Sequence, residues 1–132
     1  MPTALVRRPG PLLTEGIVSH HEPVRVDPEL ALVQWERYVA VLRDAGWTIV
    51  EVEPADDCPD AVFVEDAVVV FDDLAVITRP GADSRRAETA GAEAAARAAG
   101  LEIVHIHAPA TFDGGDVLKV GHHGSRTSSS QA

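Results

Sequence analysis

Residues 43–55 read RDAGWTIVEVEPA, and residues 97–109 read RAAGLEIVHIHAP. Each stretch combines the end of a helix, a glycine suited to the C-terminal cap of that helix, and an alternating strand that runs into proline. The two copies keep a constant offset, as Gly46 and Gly100 show. Such a repeat predicts a fold of helix-and-strand units that bury their faces against neighbouring units, and two units alone would leave that assembly unfinished.

Helix and strand patterns extend outward from the repeat and predict an α/β fold. Asp27 followed by Pro28 is a typical helix start, and the next apolar residues recur at helical spacing as far as Gly46. Ser84 is the expected N-cap of a second helix that ends at Gly100. Five strands are expected, at residues 4–9, 48–54, 60–71, 74–80 and 101–107, of which the third and fourth form a hairpin or lie side by side.

The composition of the chain favours one globular domain and disfavours several kinds of partner. A length of 132 residues suits a single core. The 21 acidic and 11 basic residues give a net charge of -10, which disfavours nucleic acids and anionic membranes and favours cationic ligands or simple solubility. No apolar run approaches the roughly 18 residues of a membrane span, and the N-terminus lacks a signal-peptide pattern, so we expect a cytoplasmic protein.

Cysteine and histidine give only weak indications of chemistry. The one cysteine, Cys58, excludes an internal disulfide and a cysteine-based zinc site. It lies in the acidic stretch DDCPD, where a thiolate is disfavoured, so we expect an unreactive thiol. The histidines occur as three pairs, and His105 and His107 would share one face of a strand, which is a weak indication of a metal site.

Acidic residues around the third strand are candidates for chemistry. Glu65 and Asp66 end an apolar run, and Asp60 in the preceding turn could face the same space. A carboxylate drawn into a partly buried position needs a cationic partner, either an arginine of the protein or a ligand. Each of these acids is also compatible with an ordinary cap or turn role.

A second acidic context is the DGGD turn. Asp113 and Asp116 flank two glycines at the approach to the strand-like VLKV of residues 117–120, and glycine allows close approach of backbone or ligand. Arg79, at the end of an apolar strand, could bind a carboxylate with two parallel hydrogen bonds or pair with one of these acids. Ligand binding and internal ion pairing therefore both stay open for these residues.

Three motifs in fixed order give the chain a family resemblance, namely PDAVFVEDAVVVF at 59–71, LAVITRPGADSRR at 74–86 and ATFDGGDVL at 110–118. Over residues 4–121 the chain resembles the dimethylargininases, hydrolases that convert methylated arginines to citrulline and methylamine. The resemblance implies the pentein fold, an α/β propeller in which five ββαβ modules surround a central active site. This chain would supply about half of that ring, which fits the repeat.

The resemblance also implies roles in binding a small guanidino amino acid. The matching positions are the acid that holds the α-amino group (Asp60), the acids that face the guanidinium (Glu65, Asp66), the arginine that holds the α-carboxylate (Arg79), the acid of a Cys-His-acid catalytic group (Asp113) and a lid-loop leucine (Leu13). No cofactor and no metal is implied. A guanidinium is planar and rich in donors, so paired carboxylates suit it independently of the resemblance.

The resemblance ends before the catalytic group is complete. In the family, the histidine and the nucleophilic cysteine lie downstream of the DGGD turn, whereas only 16 residues follow Asp116 here. Residues 1–121 are therefore expected to be the N-terminal part of a pentein catalytic domain, and residues 122–132 a disordered tail unrelated to the family. The isolated chain is expected to be inactive, and its uncovered sheet edges are expected to invite self-association.

Two other functions are compatible with the same residues. An arginine deiminase has a similar guanidino site, but it usually carries a helical insertion before the GGD motif, and only 47 residues separate Asp66 from Asp113. A non-catalytic half-propeller could bind guanidino amino acids or pair with another chain. The deiminase and the binding half-propeller both keep a small guanidino compound as the ligand.

Overall fold

A computed structural model describes residues 2–15 and 26–117 of the chain. Within these residues two helices of ten or more residues and five strands follow in chain order as β1 (Thr3–Val6), α1 (Pro28–Asp44), β2 (Thr48–Glu51), β3 (Val68–Phe71), β4 (Leu74–Ile77), α2 (Thr89–Ala98) and β5 (Glu102–His105). Short 3-10 turns cover residues 13–15, 64–66 and 83–88. The tail predicted for residues 122–132 lies outside the described residues.

The first unit consists of β1, α1 and β2. The two strands are parallel, with Thr3 opposite Thr48 and Val6 opposite Glu51, and α1 is the crossover between them. The helix start predicted at Asp27 is confirmed, because its side chain accepts hydrogen bonds from two backbone N–H groups of the first turn. A parallel pair with a helical crossover is the expected result of the strand-helix-strand pattern.

The second unit consists of β3, β4, α2 and β5. β3 and β4 form the predicted hairpin, with Val68 opposite Ile77, and Asp72 in the turn adopts a φ of 53°. β5 lies parallel to β4, and α2 crosses between them, so that β4 is the central strand of the sheet. The unit is therefore a complete ββαβ arrangement.

The repeat found in the sequence is confirmed at the two helix ends. Gly46 and Gly100 adopt left-handed φ angles of 92° and 82°. In each copy, the backbone N–H of the residue after the glycine donates to the carbonyl five residues earlier, at 3.0 Å in the first unit and 3.1 Å in the second. Both helices thus end in the same glycine-dependent cap and pass directly into a strand.

The buried core is aliphatic and centres on the second unit. Its members are Val52, Val64, Ala67, Val68, Ala75, Ile77, Ala92 and Ala96. Two alanines of α2, Ala92 and Ala96, are fully buried and let this face of the helix lie close to the sheet. Leu5 of β1 packs against this cluster from the first unit. The second unit and the turns before it therefore supply most of the buried core.

Residues 60–67 differ from the predicted third strand. They form turns, including the 3-10 turn at residues 64–66, and β3 begins only at Val68. Backbone hydrogen bonds within this segment, such as Asp66 N–H to the Phe63 carbonyl at 3.0 Å, replace the ladder bonds of a strand. An apolar run is equally compatible with a buried turn and a buried strand, so its composition did not decide between them.

The ends of two other segments also differ from prediction. Ser84 lies inside the 3-10 turn at residues 83–88 and does not cap α2, which begins at Thr89. Residues 114–117 are helical, so Val117 is not part of the strand predicted at 117–120, whose other residues lie outside the described part. In the described part of the chain, no helix is both long enough and apolar enough to cross a membrane.

Candidate active site

A cavity of about 490 Å³ opens where the two later 3-10 turns and the DGGD turn meet. It is lined by Asp60, Phe63, Asp66, Ala82, Arg85, Asp113, Gly115 and Asp116. Four carboxylates therefore share this lining with one guanidinium. A concave surface with such an excess of acidic groups favours a cationic ligand.

Asp66 is fixed through both of its carboxylate oxygens. Oδ2 lies 2.8 Å from Nη1 of Arg85, and Oδ1 accepts a hydrogen bond from the Gly115 backbone N–H at 2.8 Å. The Asp66 carbonyl also accepts the hydroxyl of Thr78 at 2.7 Å. A carboxylate oxygen can accept more than one hydrogen bond, so Asp66 is both immobilised and able to accept from a ligand.

Arg85 is the cation in the wall of the cavity. Its Nε and Nη2 donate to the two carboxylate oxygens of Glu88 at 3.0 and 2.9 Å. Nη2 also donates to the backbone carbonyl of Asp60 at 3.1 Å. Burial opposes the charge of Arg85, but its hydrogen bonds to Glu88 and Asp66 outweigh that effect and raise its pKa. One guanidinium thus gathers three acidic residues.

A second buried arginine supports Glu88 from the other side. Arg7 donates from Nη2 to the Glu88 carbonyl at 3.1 Å and from Nε to the Glu53 carbonyl at 2.9 Å. Desolvation lowers the pKa of Arg7, and the negative charge of Glu88 opposes this shift. Within the described residues, Nη1 of Arg7 has no hydrogen-bond partner. A row of alternating charges therefore runs from the end of β1 to the cavity.

The DGGD turn is held against the second unit by backbone contacts. Phe112 N–H donates to the Arg79 carbonyl at 2.7 Å in an isolated antiparallel bridge. The Gly81 N–H donates to Oδ2 of Asp113 at 3.3 Å. A Cβ at Gly114 would overlap the backbone of the acidic 3-10 turn, so this close approach requires glycine. The two glycines therefore allow Asp113 and Asp66 to share one cavity.

The structure brings three of the six predicted site residues together, namely Asp60, Asp66 and Asp113. Glu65 lines a different cavity of about 650 Å³, beside apolar residues such as Leu5 and Val68. Successive residues of a 3-10 turn point about 120° apart, which sends Glu65 and Asp66 in different directions. Although Glu65 reaches solvent, desolvation by its apolar neighbours and the nearby charge of Asp66 raise its pKa.

The other two predicted residues lie outside the lining of the acidic cavity. Arg79 is half-buried, and its Nη1 donates to the Ala110 carbonyl at 3.1 Å. Leu13 is half-buried in the 3-10 turn at residues 13–15. Their contacts with a ligand stay predictions.

Sequence reasoning missed two residues of this arrangement, Arg85 and Glu88. A signal for Glu88 exists, because it lies four and eight residues before Ala92 and Ala96 on the buried face of α2. A glutamate on an apolar helix face requires a cationic partner, and Arg85 is three residues away. The pair could therefore have been found from the helical spacing alone.

His105 is the last residue of β5 and His107 lies just beyond it, and the two do not form a metal site with other described residues. Nε2 of His105 lies 3.0 Å from Oε1 of Glu93, and the His105 and His107 rings are 6.0 Å apart. The hydrogen bond from His105, and to a smaller extent the one from Arg97, lowers the pKa of Glu93. In residues 2–15 and 26–117, no three potential ligands are grouped to hold a metal ion.

Comparison with solved structures defines the class of fold. The N-terminal domain of a cyanobacterial arginine dihydrolase matches 85% of this chain and 42% of its own length, with a TM-score of 0.69 and 21% identity, a likeness that shows the fold alone. A dimethylarginine dimethylaminohydrolase variant from Pseudomonas aeruginosa, complexed with citrulline, matches 87% of this chain and 45% of its own, with a TM-score of 0.80 and 36% identity. The chain thus forms part of a pentein fold, as the motifs predicted.

A sequence comparison adds a relative of higher identity. The N(G),N(G)-dimethylarginine dimethylaminohydrolase of Streptomyces coelicolor is 61% identical over 118 residues, which are 89% of this chain and 46% of the relative. No protein-family model matches the chain. The chain is homologous to the dimethylarginine dimethylaminohydrolases, and it spans about half the length of the curated relatives it matches.

Proposed function

We propose that this chain supplies the guanidino-binding part of an enzyme that hydrolyses dimethylarginine. The observation that supports this most directly is the cavity in which Asp60, Asp66 and Asp113 converge beside Arg85. The chain is homologous to proteins named for that reaction. A guanidinium is planar and permanently charged, so carboxylates fixed on one wall can bind it and set its plane.

Asp66 is the acid that we assign to the guanidinium. Its two oxygens are held by Arg85 and Gly115, which fixes the direction in which they accept further hydrogen bonds. Glu65 faces the neighbouring cavity, so the geometry favours Asp66 over Glu65 for this contact. Asp60 is 8% exposed at the same wall, and we assign to it the α-amino group, the second cation of the ligand.

The α-carboxylate of the ligand requires an arginine, and two are candidates. Arg79 has the predicted role, and Arg85 lines the cavity but already donates to Asp66, Asp60 and Glu88. We retain Arg79, whose described side-chain hydrogen bond goes to one backbone carbonyl. Replacing it with alanine should weaken binding of dimethylarginine but not of its decarboxylated analogue, and equal weakening of both would reject this assignment.

We propose that Asp113 orients the histidine of the Cys-His-acid group implied by the resemblance. Gly81 fixes one carboxylate oxygen of Asp113 at the rim of the cavity, as an orienting acid requires. Cys58 is unsuited as nucleophile, because it is buried and both desolvation and the charge of Glu88 raise the pKa of its thiol. Turnover would therefore use a histidine and a cysteine from the part of the relatives that this chain does not match.

The proposed chemistry is nucleophilic substitution at the guanidino carbon. A thiolate adds to that carbon, and the methylated amine leaves with a proton delivered by the histidine. Water then attacks the resulting thiouronium, which releases citrulline and restores the thiolate. The described residues contribute to these steps by binding and orienting the guanidinium and by holding the histidine.

A chimeric enzyme tests this proposal. The matched segment of the Streptomyces coelicolor relative is exchanged for the corresponding 118 residues of this chain, and citrulline release from dimethylarginine is measured. We expect turnover, and we expect Asp66→Asn to lower kcat/KM by about tenfold to a hundredfold, the effect of losing a hydrogen bond to a charged group.

The matched control for this experiment is Asp83→Asn. Asp83 forms a surface ion pair with Arg86, and its side chain is 86% exposed. We expect the control to keep the activity of the chimera. A folded chimera without turnover would reject the proposed function, and equal activity of the two variants would reject the role of Asp66.

A second candidate is a non-catalytic half-propeller that binds guanidino compounds and pairs with another chain. It is favoured by the free edge of β1, since the carbonyls of Pro2 and Val6 accept from β2 and the backbone groups of Thr3 and Leu5 point away. Within the described residues no strand pairs with that edge. The sequence predicts self-association through uncovered sheet edges, and we propose the edge of β1 for it. A cytoplasmic location also remains a sequence prediction.

A further inference from the structure

Glu88 is a buried carboxylate whose function is not explained by the fold. It is 1% exposed and does not line the acidic cavity. Replacing a buried ion pair by apolar residues often leaves stability unchanged or improved, so stability alone does not account for a glutamate here. Both of its side-chain oxygens bind Arg85. Its role is therefore to be sought in what Arg85 does.

We propose that Glu88 is a positioning residue for the guanidino-binding site. It holds the Nε and Nη2 edge of Arg85, so that Nη1 is directed at Asp66 and lies 2.8 Å from its Oδ2. Asp66 in turn accepts the Gly115 N–H at 2.8 Å. This inference rests on the proposed function, because it concerns the site that the proposal assigns to guanidino compounds.

The geometry selects glutamate at position 88. A guanidinium offers parallel N–H groups along one edge, and a carboxylate accepts both of them. Glutamine would present an NH2 group to one of those donors, and aspartate is shorter by one methylene. Either replacement leaves part of the Arg85 edge unpaired in a buried location. The guanidinium would then be free to rotate away from Asp66.

The backbone of Glu88 is fixed from the first unit. Arg7 donates to its carbonyl at 3.1 Å, at the point where the 3-10 turn passes into α2. Gly91 makes room for this contact, because a Cβ there would lie 2.6 Å from Nη2 of Arg7. Glu88 is thus held on its backbone side by one arginine and acts through its side chain on another.

The experiment compares Glu88→Gln with Glu93→Gln in the full chain. Glu93 also lies on α2, but it pairs with Arg97 at 2.7 Å on the surface. NMR would follow the Gly115 amide, which reports the position of Asp66, and the Arg85 Nε–H. In Glu88→Gln we expect the Gly115 amide to exchange about tenfold faster and the affinity for dimethylarginine to fall about tenfold. The Glu93→Gln chain should match the wild type in both.

A second variant covers the case in which Glu88→Gln does not fold. Arg85→Lys keeps the positive charge but cannot bind Glu88 and Asp66 through one rigid fork, so the Gly115 amide should show the same faster exchange. An unchanged Gly115 amide in a folded Glu88→Gln chain, or in Arg85→Lys if that alone folds, would overturn the inference.

The two readouts separate this inference from the proposed function. If the wild-type chain does not bind dimethylarginine but Glu88→Gln speeds the exchange of the Gly115 amide, the result would support the positioning role and count against the proposed function. If the wild type and Glu88→Gln bind dimethylarginine equally tightly and the exchange of the Gly115 amide is unchanged, the result would support the proposed function and reject the positioning role.

Discussion

Each of the two units contains a helix, a parallel strand pair and a glycine cap at the end of the helix. They differ in the strands that lie beside these elements. The second unit has a third strand, β3, beside its central strand, whereas the described residues supply no counterpart beside β1. Of the buried core cluster, only Val52 comes from the first unit. The comparison indicates that the second unit is organised around its own core and that the first unit depends on it.

The acidic cavity follows the same division. Every residue that lines it lies between Asp60 and Asp116, in the second unit or the turns next to it. The first unit contributes indirectly, through the contact of Arg7 with Glu88. Substitutions in the second unit should therefore affect stability and ligand binding together, and equivalent substitutions in the first unit should affect mainly stability or association.

The largest expected effect is that of Arg85→Ala. This change leaves the carboxylates of Asp66 and Glu88 without their buried cation, and breaking a buried ion pair in this way costs about 3–5 kcal/mol. Urea unfolding would measure the loss. Arg97→Ala is the control, since Arg97 is 61% exposed and its ion pair with Glu93 should be nearly neutral. Equal stability of the two variants would contradict the charge cluster.

The next effect compares one isoleucine from each of the two sheets. Ile77 in β4 is 3% exposed, whereas Ile49 in β2 is only half-buried. Ile77→Ala should lower the free energy of unfolding by about 2–5 kcal/mol, and Ile49→Ala by about half as much. Chemical denaturation measures both. A larger loss from Ile49→Ala would break the comparison, because the first unit would then hold a core of its own.

A smaller effect is expected at the free edge of β1. Thr3→Pro removes an outward N–H at the first residue of the strand, where proline is tolerated, and Thr3→Val keeps that N–H. If the edge mediates self-association, Thr3→Pro should weaken it by about tenfold, the effect of about one hydrogen bond. Light scattering over a concentration series tests this. The same association constant for both variants would exclude the edge.

The smallest effect concerns Glu65. Its pKa is raised in the folded chain, so its contribution to stability is full below its usual pKa and is lost as the pH rises through the raised value. Glu65→Gln cannot titrate and should therefore be more stable than the wild type at pH 7, with a smaller difference at pH 4. Thermal unfolding at both pH values measures this. If the stability difference between Glu65→Gln and the wild type instead grows towards acidic pH, the pKa of Glu65 is not raised in the folded chain.

Local rules explain what could be predicted from the sequence. The Asp27 cap, the hairpin and the two glycine caps each depend on a few neighbouring residues, and the structure confirms them. Asp66 was proposed because a carboxylate at the end of an apolar run needs a partner, Asp60 because it lies in the turn before that run, and Asp113 because it flanks two glycines. For these residues, the side-chain chemistry and the neighbouring sequence are enough to predict the local structure.

Tertiary contacts explain what could not be predicted. A buried 3-10 turn and a buried strand share one composition, so the sequence did not show that Glu65 and Asp66 face different cavities. The pairing of Arg85 with Asp66 depends on how the turn at 83–88 packs against the turn at 64–66. The hydrogen bond from Gly115 to Asp66 spans 49 residues, beyond the reach of any local pattern.

The most direct test of the central claim is an NMR titration of the wild-type chain with dimethylarginine. We predict saturable shifts of the Gly81 and Gly115 amides, which contact Asp113 and Asp66 at the cavity. L-Lysine should cause much smaller shifts, and Asp66→Asn should raise the dissociation constant for dimethylarginine by about tenfold to a hundredfold. A folded chain whose amides do not respond, or respond equally in Asp66→Asn, would contradict the claim that this cavity binds a guanidino compound.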